Sequence, residues 1–213
     1  MEYNLTEIIL NKDIEFKKML IEGSEADINK LCDYLNGVNI DEFIDSKFLA
    51  KRAYESVDIP CFSNFNALED MCKYLLFSKD STYKEIGYYL KRCNKQTASV
   101  KYGENHAKLG MMFYLVNIEN SKISKVNITN FGKYIVKSEF KNNFKALYIL
   151  LLSNPFIQTI IFDLKKENIN YKDYVKDLSV STMIRRRGNT KFLVDNILSF
   201  SSSIKNTVNW EVK

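Results

Sequence analysis

"ASVKYGENHAKLGMMFYLVNIENSKISKVNIT", Ala98 to Thr129, changes its periodicity half-way along. Through Met111 the apolar and small residues return at spacings of three and four, the repeat of a helix with one buried face. Beyond it two alternating runs flank a polar turn at Glu119, Asn120 and Ser121, which predicts a β-hairpin. The residues upstream extend this plan. "FNALEDMCKYLLFS" (65–78) is amphipathic, with Leu68, Met71, Cys72 and Leu75 on one side, and Ser63 or Asn64 can cap it. "STYKEIGYYLKRC" (81–93) is a short second helix that Ser81 or Thr82 can cap ahead of Glu85, and "NKQT" is a turn. Helix, helix, turn, helix, hairpin is the order of a winged helix, whose third helix is the one presented to a DNA groove.

The rest of the chain predicts a second module on the same plan. After a linking helix, "NFGKYIVKS" (130–138), comes the strongly apolar "FKALYILLLSN" (144–154), and Pro155 stands where the next helix, "PFIQTIIFDLKK", begins. "NYKDYVKDL" is short like "TYKEIGYYL", "SVS" is a turn, "TMIRRRGNTKFLVDNILSF" is a longer helix, and "TVNWEVK" is a strand. Ahead of both modules, residues 1–57 read as three acidic helices, and Pro60 interrupts the pattern. The expected fold is mainly α with small β-hairpin wings: a tandem winged helix-turn-helix preceded by a helical N-terminal region. Its expected boundaries are 1–60, 61–138 and 139–213.

With 213 residues and 46% of them hydrophobic, the chain can bury a substantial core. Its net charge of +5 conceals an asymmetry, because residues 1–79 hold 9 basic and 15 acidic side chains whereas residues 80–213 hold 22 and 11. The second part therefore suits a polyanion. There is no run of about 18 apolar residues, and the opening "MEYNLTEIIL" lacks the basic start and apolar stretch of a signal peptide, so a cytoplasmic location and no membrane partner are expected. Cys32, Cys61, Cys72 and Cys93 have no CxxC spacing and read as reduced thiols. His106, the sole histidine, reads as packed or hydrogen-bonded rather than as a metal ligand or base.

Candidate DNA contacts follow from this parse. In the first module they are Lys95, Gln96, Thr97, Ser99, Lys101, Asn105 and Lys108 on or before the third helix, with Lys122 and Lys125 in the wing. In the second they are Arg185, Arg186 and Arg187, near the start of a helix that turns Ile184, Phe192, Leu193 and Ile197 to its core, with Asn189, Thr190 and Lys191 beside them. Guanidinium groups bridge phosphates or bind guanine edges through two hydrogen bonds.

Residues 63–200 resemble the tandem winged-helix DNA-binding region of bacterial type II restriction and restriction-associated proteins. The resemblance is carried by Ala107, Leu109 and Gly110, then Ile128, Thr129 and Gly132, then the Asn154–Pro155 step, and then Ser181, Thr182, Arg185, Arg186 and Thr190. It departs from that pattern at Leu193, Val194 and Asn196, where aromatic residues are usual, and at Lys95–Gln96 in place of Arg-Gln. It implies duplex DNA as partner, with any cleaving or modifying subunit separate.

Glu15–Lys17, Asp45–Lys47 and Glu139–Lys141 fit loosely the Glu-x-Lys element of a metal-dependent nuclease, but all lie in helix-like contexts. No GxxxxGK[ST] loop, GxSxG or dinucleotide fingerprint occurs. The expected function is non-catalytic, sequence-specific binding of double-stranded DNA in a restriction-modification or phage-defence system, with no cofactor and no metal. The N-terminal region would meet a protein partner or a second copy. The alternatives are a transcriptional regulator, a protein-interaction adaptor with Met111, Met112 and Phe113 as a surface patch, and a metal-dependent endonuclease of type II restriction class with its site in residues 1–60.

Overall fold

The computed structural model describes residues 14–47, 54–90, 96–119 and 122–212. Along the chain these form α1 (Ile14–Glu22), α2 (Glu25–Gly37), α3 (Ile40–Lys47), a 3-10 turn (Ser56–Asp58), α4 (Phe65–Leu75), β1 (Ser81–Thr82), α5 (Tyr83–Tyr89) and α6 (Gln96–Met112). There follow β2 (Val116–Glu119), β3 (Lys125–Ile128), α7 (Asn130–Lys137), α8 (Phe144–Leu151), α9 (Pro155–Leu164), β4 (Ile169–Asn170), α10 (Tyr171–Tyr174), α11 (Val180–Leu198) and β5 (Val208–Asn209). The protein is mainly helical with few, short strands. Among the described residues no single helix is long and apolar enough to cross a membrane.

The chain divides into two compact units, and it passes between them after Asn36, after Ser63 and after Leu147. Unit 1 joins the described residues up to Asn36 to Asn64–Leu147; unit 2 joins Gly37–Ser63 to Tyr148–Lys213. The described residues of the expected N-terminal region 1–60 are thus divided between the two units. In unit 1, α2 buries Ile28, Leu31, Cys32 and Leu35. Polar ties fix its seat: Tyr134 Oη donates to Asn29 at 2.6 Å, Asn130 Nδ2 donates to the Gly23 carbonyl at 3.1 Å, and Lys137 pairs with Glu25 at 2.8 Å. In unit 2, α3 buries Ile40, Phe43 and Ile44.

Local chemistry explains where the helices of unit 1 begin. Asn64 caps α4 by accepting from the Ala67 N–H at 3.1 Å, and Leu68, Met71, Cys72 and Leu75 all turn inward as their spacing requires. Thr82 and Glu85 form a reciprocal capping box on α5, with the Thr82 N–H donating to the Glu85 carboxylate at 2.7 Å. These bonds hold Glu85 below the ordinary carboxylate range. α5 and α6 then approach until backbone meets backbone. A Cβ on Gly87 would stand 1.9 Å from the Ser99 carbonyl oxygen, and one on Gly103 would stand 1.9 Å from that of Tyr83. Only glycine permits this approach.

The sheet that follows is antiparallel in the order β1-β3-β2, pairing Ser81 with Val126 and Val116 with Ile128. Tyr114 turns the chain out of α6 at a positive φ of 59°. Thr129 closes the sheet onto α7: its hydroxyl donates to the Tyr114 carbonyl at 2.7 Å and accepts from the Gly132 N–H at 2.9 Å. A Cβ at Gly132 would meet the Leu115 carbonyl oxygen at 2.1 Å, which accounts for a glycine three residues after the threonine.

Unit 2 repeats the order helix, strand, short helix, long helix, but it departs from the expected plan in its strands. β5 spans two residues and pairs parallel to β4, Ile169 with Val208 and Asn170 with Asn209, so no second hairpin occurs among the described residues. Asn154 caps α9 from the position before Pro155, accepting from the Phe156 and Ile157 N–H groups, both at 3.1 Å, and its Nδ2 donates to the Asp58 carbonyl at 3.0 Å.

A second tie in unit 2 uses the three serines after α11. Asp41 accepts from the hydroxyls of Ser201, Ser202 and Ser203 and from the N–H groups of Ser202 and Ser203, the last two at 2.8 and 3.1 Å. Partial burial works to raise its pKa, but the serine donors outweigh it and hold the carboxyl well below the ordinary range. Since the folded value lies below the unfolded one, the stabilisation is present above the unfolded pKa of about 3.9 and is lost as pH falls through the folded value. Thermal unfolding followed from about pH 5 down to about pH 1 is expected to show a steep acid limb in the native protein and a flatter one in Asp41→Asn.

Candidate nucleic-acid interface

α6 and the β2–β3 hairpin present the first group of predicted residues. Lys101, Glu104, Asn105 and Lys108 share the outward face of α6, with Glu104 held between the lysines: Lys101 lies 2.8 Å from one of its oxygens and Lys108 bonds the other. Partial burial raises the Glu104 pKa, and the two lysines more than offset it, so the carboxyl lies below its usual range. Lys122 and Lys125 are exposed at the hairpin, with Lys125 at 3.4 Å from Asp80. Ser99 is a correction. It is fully buried, because the close approach of Gly87 to its carbonyl places it on the inner side of the helix pair. Lys95 and the side chains of Gln96 and Thr97 lie outside the described residues, as does Cys93.

α11 begins at a Ser179 cap, whose hydroxyl accepts from the Thr182 N–H at 3.4 Å. Its inward stripe is Met183, Thr190, Leu193, Val194 and Ile197. The expected core positions Leu193 and Ile197 are therefore buried, whereas Ile184 is 48% and Phe192 40% exposed. Successive residues on a helix are about 100° apart, so the three arginines separate in space. Arg185 is exposed, and its side chain has no hydrogen-bond or ion-pair partner among the described residues. Arg186 turns inward and donates through Nη1 to the carbonyls of Ser56, at 3.1 Å, and Ile59. Arg187 reaches the Trp210 carbonyl at 3.5 Å.

The neighbours divide in the same way. Asn189 Nδ2 donates to the Cys61 carbonyl at 2.8 Å while its oxygen accepts from Ser63, so the side chain ties α11 to the segment before α4. Thr190 is fully buried on the same side as Arg186, one turn away. Lys191 pairs with Asp195 at 2.6 Å and lies 5.6 Å from the Trp210 ring centre. Arg186 and Asn189 are thus internal ties and Thr190 is core, and Arg185 and Lys191 are the cations that α11 offers outward. Sequence reading did not single out Val180, which is 59% exposed on that face, and named Ser181, exposed beside it, only as a motif position.

Neither family models, curated proteins nor solved structures match this chain. Several motif positions have visible local roles: Thr129 and Gly132 close the sheet, Asn154 and Pro155 start α9, Arg186 anchors α11, and Thr190 lies in its buried stripe.

His106 is fully buried, with Nδ1–H donating to the Tyr102 carbonyl at 2.9 Å and its ring 4.2 Å from that of Tyr102. Cys32, Cys61 and Cys72 are free; burial, aided by Asp33, pushes the Cys32 thiol up to about 12, and burial raises that of Cys72 as well. Glu15 lies on α1, and Glu139 pairs with Lys141 at 2.9 Å beside a 3-10 turn. Among the described residues no three His, Cys, Asp or Glu side chains gather as a metal-binding group.

Proposed function

We propose that this protein binds double-stranded DNA without acting on it chemically, that unit 1 is a winged helix with α6 as its groove-facing helix and the β2–β3 hairpin as its wing, and that it serves a restriction-modification or phage-defence system of the kind its motifs resemble. The observation that carries this reading is the antiparallel order β1-β3-β2, preceded by α4 and interleaved with α5 and α6, the two helices in glycine-to-backbone contact. Such a frame leaves Lys101, Asn105, Lys108, Lys122 and Lys125 on the outside. In unit 2 the corresponding outward groups are Ser181, Arg185 and Lys191 on α11. A transcriptional regulator would use the same surface.

Neutralising phosphates releases counterions, so affinity for a random duplex is expected to fall about 10²–10³-fold between about 50 mM and about 200 mM salt if some five cations make contacts. Fluorescence anisotropy with Lys101→Glu, Lys125→Glu and Arg185→Glu measures this: each is expected to weaken binding and make the salt dependence shallower. Salt-independent binding, or none at low salt, would sink the reading.

A protein-interaction role is the second reading. Met111 is 44% exposed at the end of α6, while Phe113 is buried, so the expected patch at 111–113 is only partly present; exposed apolar residues occur instead on α11. Sedimentation velocity across a concentration series separates the two readings.

A further inference from the structure

We propose that the outward face of α11 recognises thymine through its methyl group, with Val180 and Ile184 as the apolar contacts and Arg185 as the neighbouring hydrogen-bond donor. The inference rests on the DNA-binding reading above and specifies its target.

Single exposed hydrophobic residues are ordinary on a protein surface. Here two stand one helical turn apart on one helix, Val180 at 59% and Ile184 at 48% exposure, beside the exposed Arg185 guanidinium, which has no hydrogen-bond or ion-pair partner among the described residues. Gly188 follows one turn later, exposed, where an added Cβ would meet nothing within 4 Å. Glycine is disfavoured inside a helix, and no packing contact accounts for this one. The face is therefore apolar and cationic, with a low point that lets another surface come close.

The major groove complements those properties. Thymine presents a methyl group there, the one apolar group on the base edges, and guanine presents two acceptors to arginine. Four residues of helix advance about 6 Å, and base pairs rise by about 3.4 Å, so Val180 and Ile184 reach thymines about two steps apart. Charge selects this occupant over a second copy of the chain. Asp195, the carboxylate on this stretch of α11, is already bound by Lys191, so no carboxylate of α11 balances Arg185 and a two-fold contact of this face with itself would bring like charges together.

The test compares a short alternating dA·dT duplex with the same duplex carrying dU for dT, a change that removes only the methyl groups. The native protein is expected to bind the dT duplex more tightly by about fourfold for each methyl group buried. In Val180→Ala/Ile184→Ala that preference is expected to disappear through weaker binding of the dT duplex, with dU affinity unchanged; Arg185→Ala is expected to weaken both. All three side chains are exposed, and thermal unfolding checks that each variant is folded. Equal affinity of the native protein for dT and dU duplexes overturns this inference and leaves the DNA reading standing, whereas failure to bind any duplex at low salt overturns both. Persistence of the preference in the double variant overturns the residue assignment. So does unchanged DNA binding accompanied by loss of self-association in sedimentation, which would make the face a protein interface.

Discussion

Gly103→Val is expected to abolish the folded form of unit 1. The first new carbon would lie 1.9 Å from the Tyr83 carbonyl oxygen, 2.8 Å from its carbon and 3.0 Å from the Gly87 nitrogen. These are backbone atoms of a neighbouring helix, which cannot swing aside as a side-chain tip can. Relief requires α5 and α6 to separate, and the pair bears the sheet and the buried Ile86, Ala107 and Leu109. Ordinary overpacking costs about 1–3 kcal/mol, and forced displacement of a helix exceeds that range. Gly87→Val meets the Ser99 carbonyl in the same way and should match it. Gly188→Ala is the control: it adds a methyl into open space on α11 and is expected to stabilise by roughly 0.5–1 kcal/mol. Circular dichroism during urea titration reads all three. A soluble, native-like Gly103→Val protein would contradict the close helix contact.

The second large effect is expected from Arg186→Ala. Removing the guanidinium leaves the Ser56 and Ile59 carbonyls without this donor, and hydrogen bonds from a charged group to such acceptors are worth about 1.5–3 kcal/mol each before solvent screening. Because Arg186 is half-buried, a net loss of about 2–3 kcal/mol is the expectation. Arg185→Ala should change stability by less than about 0.5 kcal/mol while weakening DNA binding. A stability loss at Arg185 comparable to that at Arg186 would mean that the two side chains have been assigned to the wrong sides of α11.

Those adjacent arginines mark the limit of what is legible in the amino-acid order. Helices were readable because their signals are local: the inward set Leu68, Met71, Cys72 and Leu75 repeats with the helical period, and Asn64, Thr82 with Glu85, and Pro155 mark starts through bonds made within one turn. The hairpin was readable from alternation, although β2 begins only at Val116 because Phe113 is still core and Tyr114 is the turn. What failed depended on distant partners. The phase of α11 is set by carbonyls more than 120 residues earlier, which turn Arg186 inward and leave Ile184 outside. Ser99 looks like a surface polar residue until Gly87 comes down on it. The two-residue pairing of β4 with β5 joins segments 39 positions apart with no repeating pattern to announce it. A run of like charges in a sequence is a line, and a helix distributes that line around a cylinder.

Because the chain passes between its two units three times, neither can finish when its first residues leave the ribosome. By the time Ser63 emerges, the growing polypeptide holds the opening fragment of both bodies and a complete version of neither. Unit 1 must wait for Leu147, and the carbonyls of Ser56 and Ile59 must wait for Arg186. Nascent helices such as α2 and α3 would meanwhile expose apolar faces whose partners have not yet been translated. Cutting the gene at residue 60 would therefore not liberate a minimal working half, since each product would lack a strand of chain that the other retains.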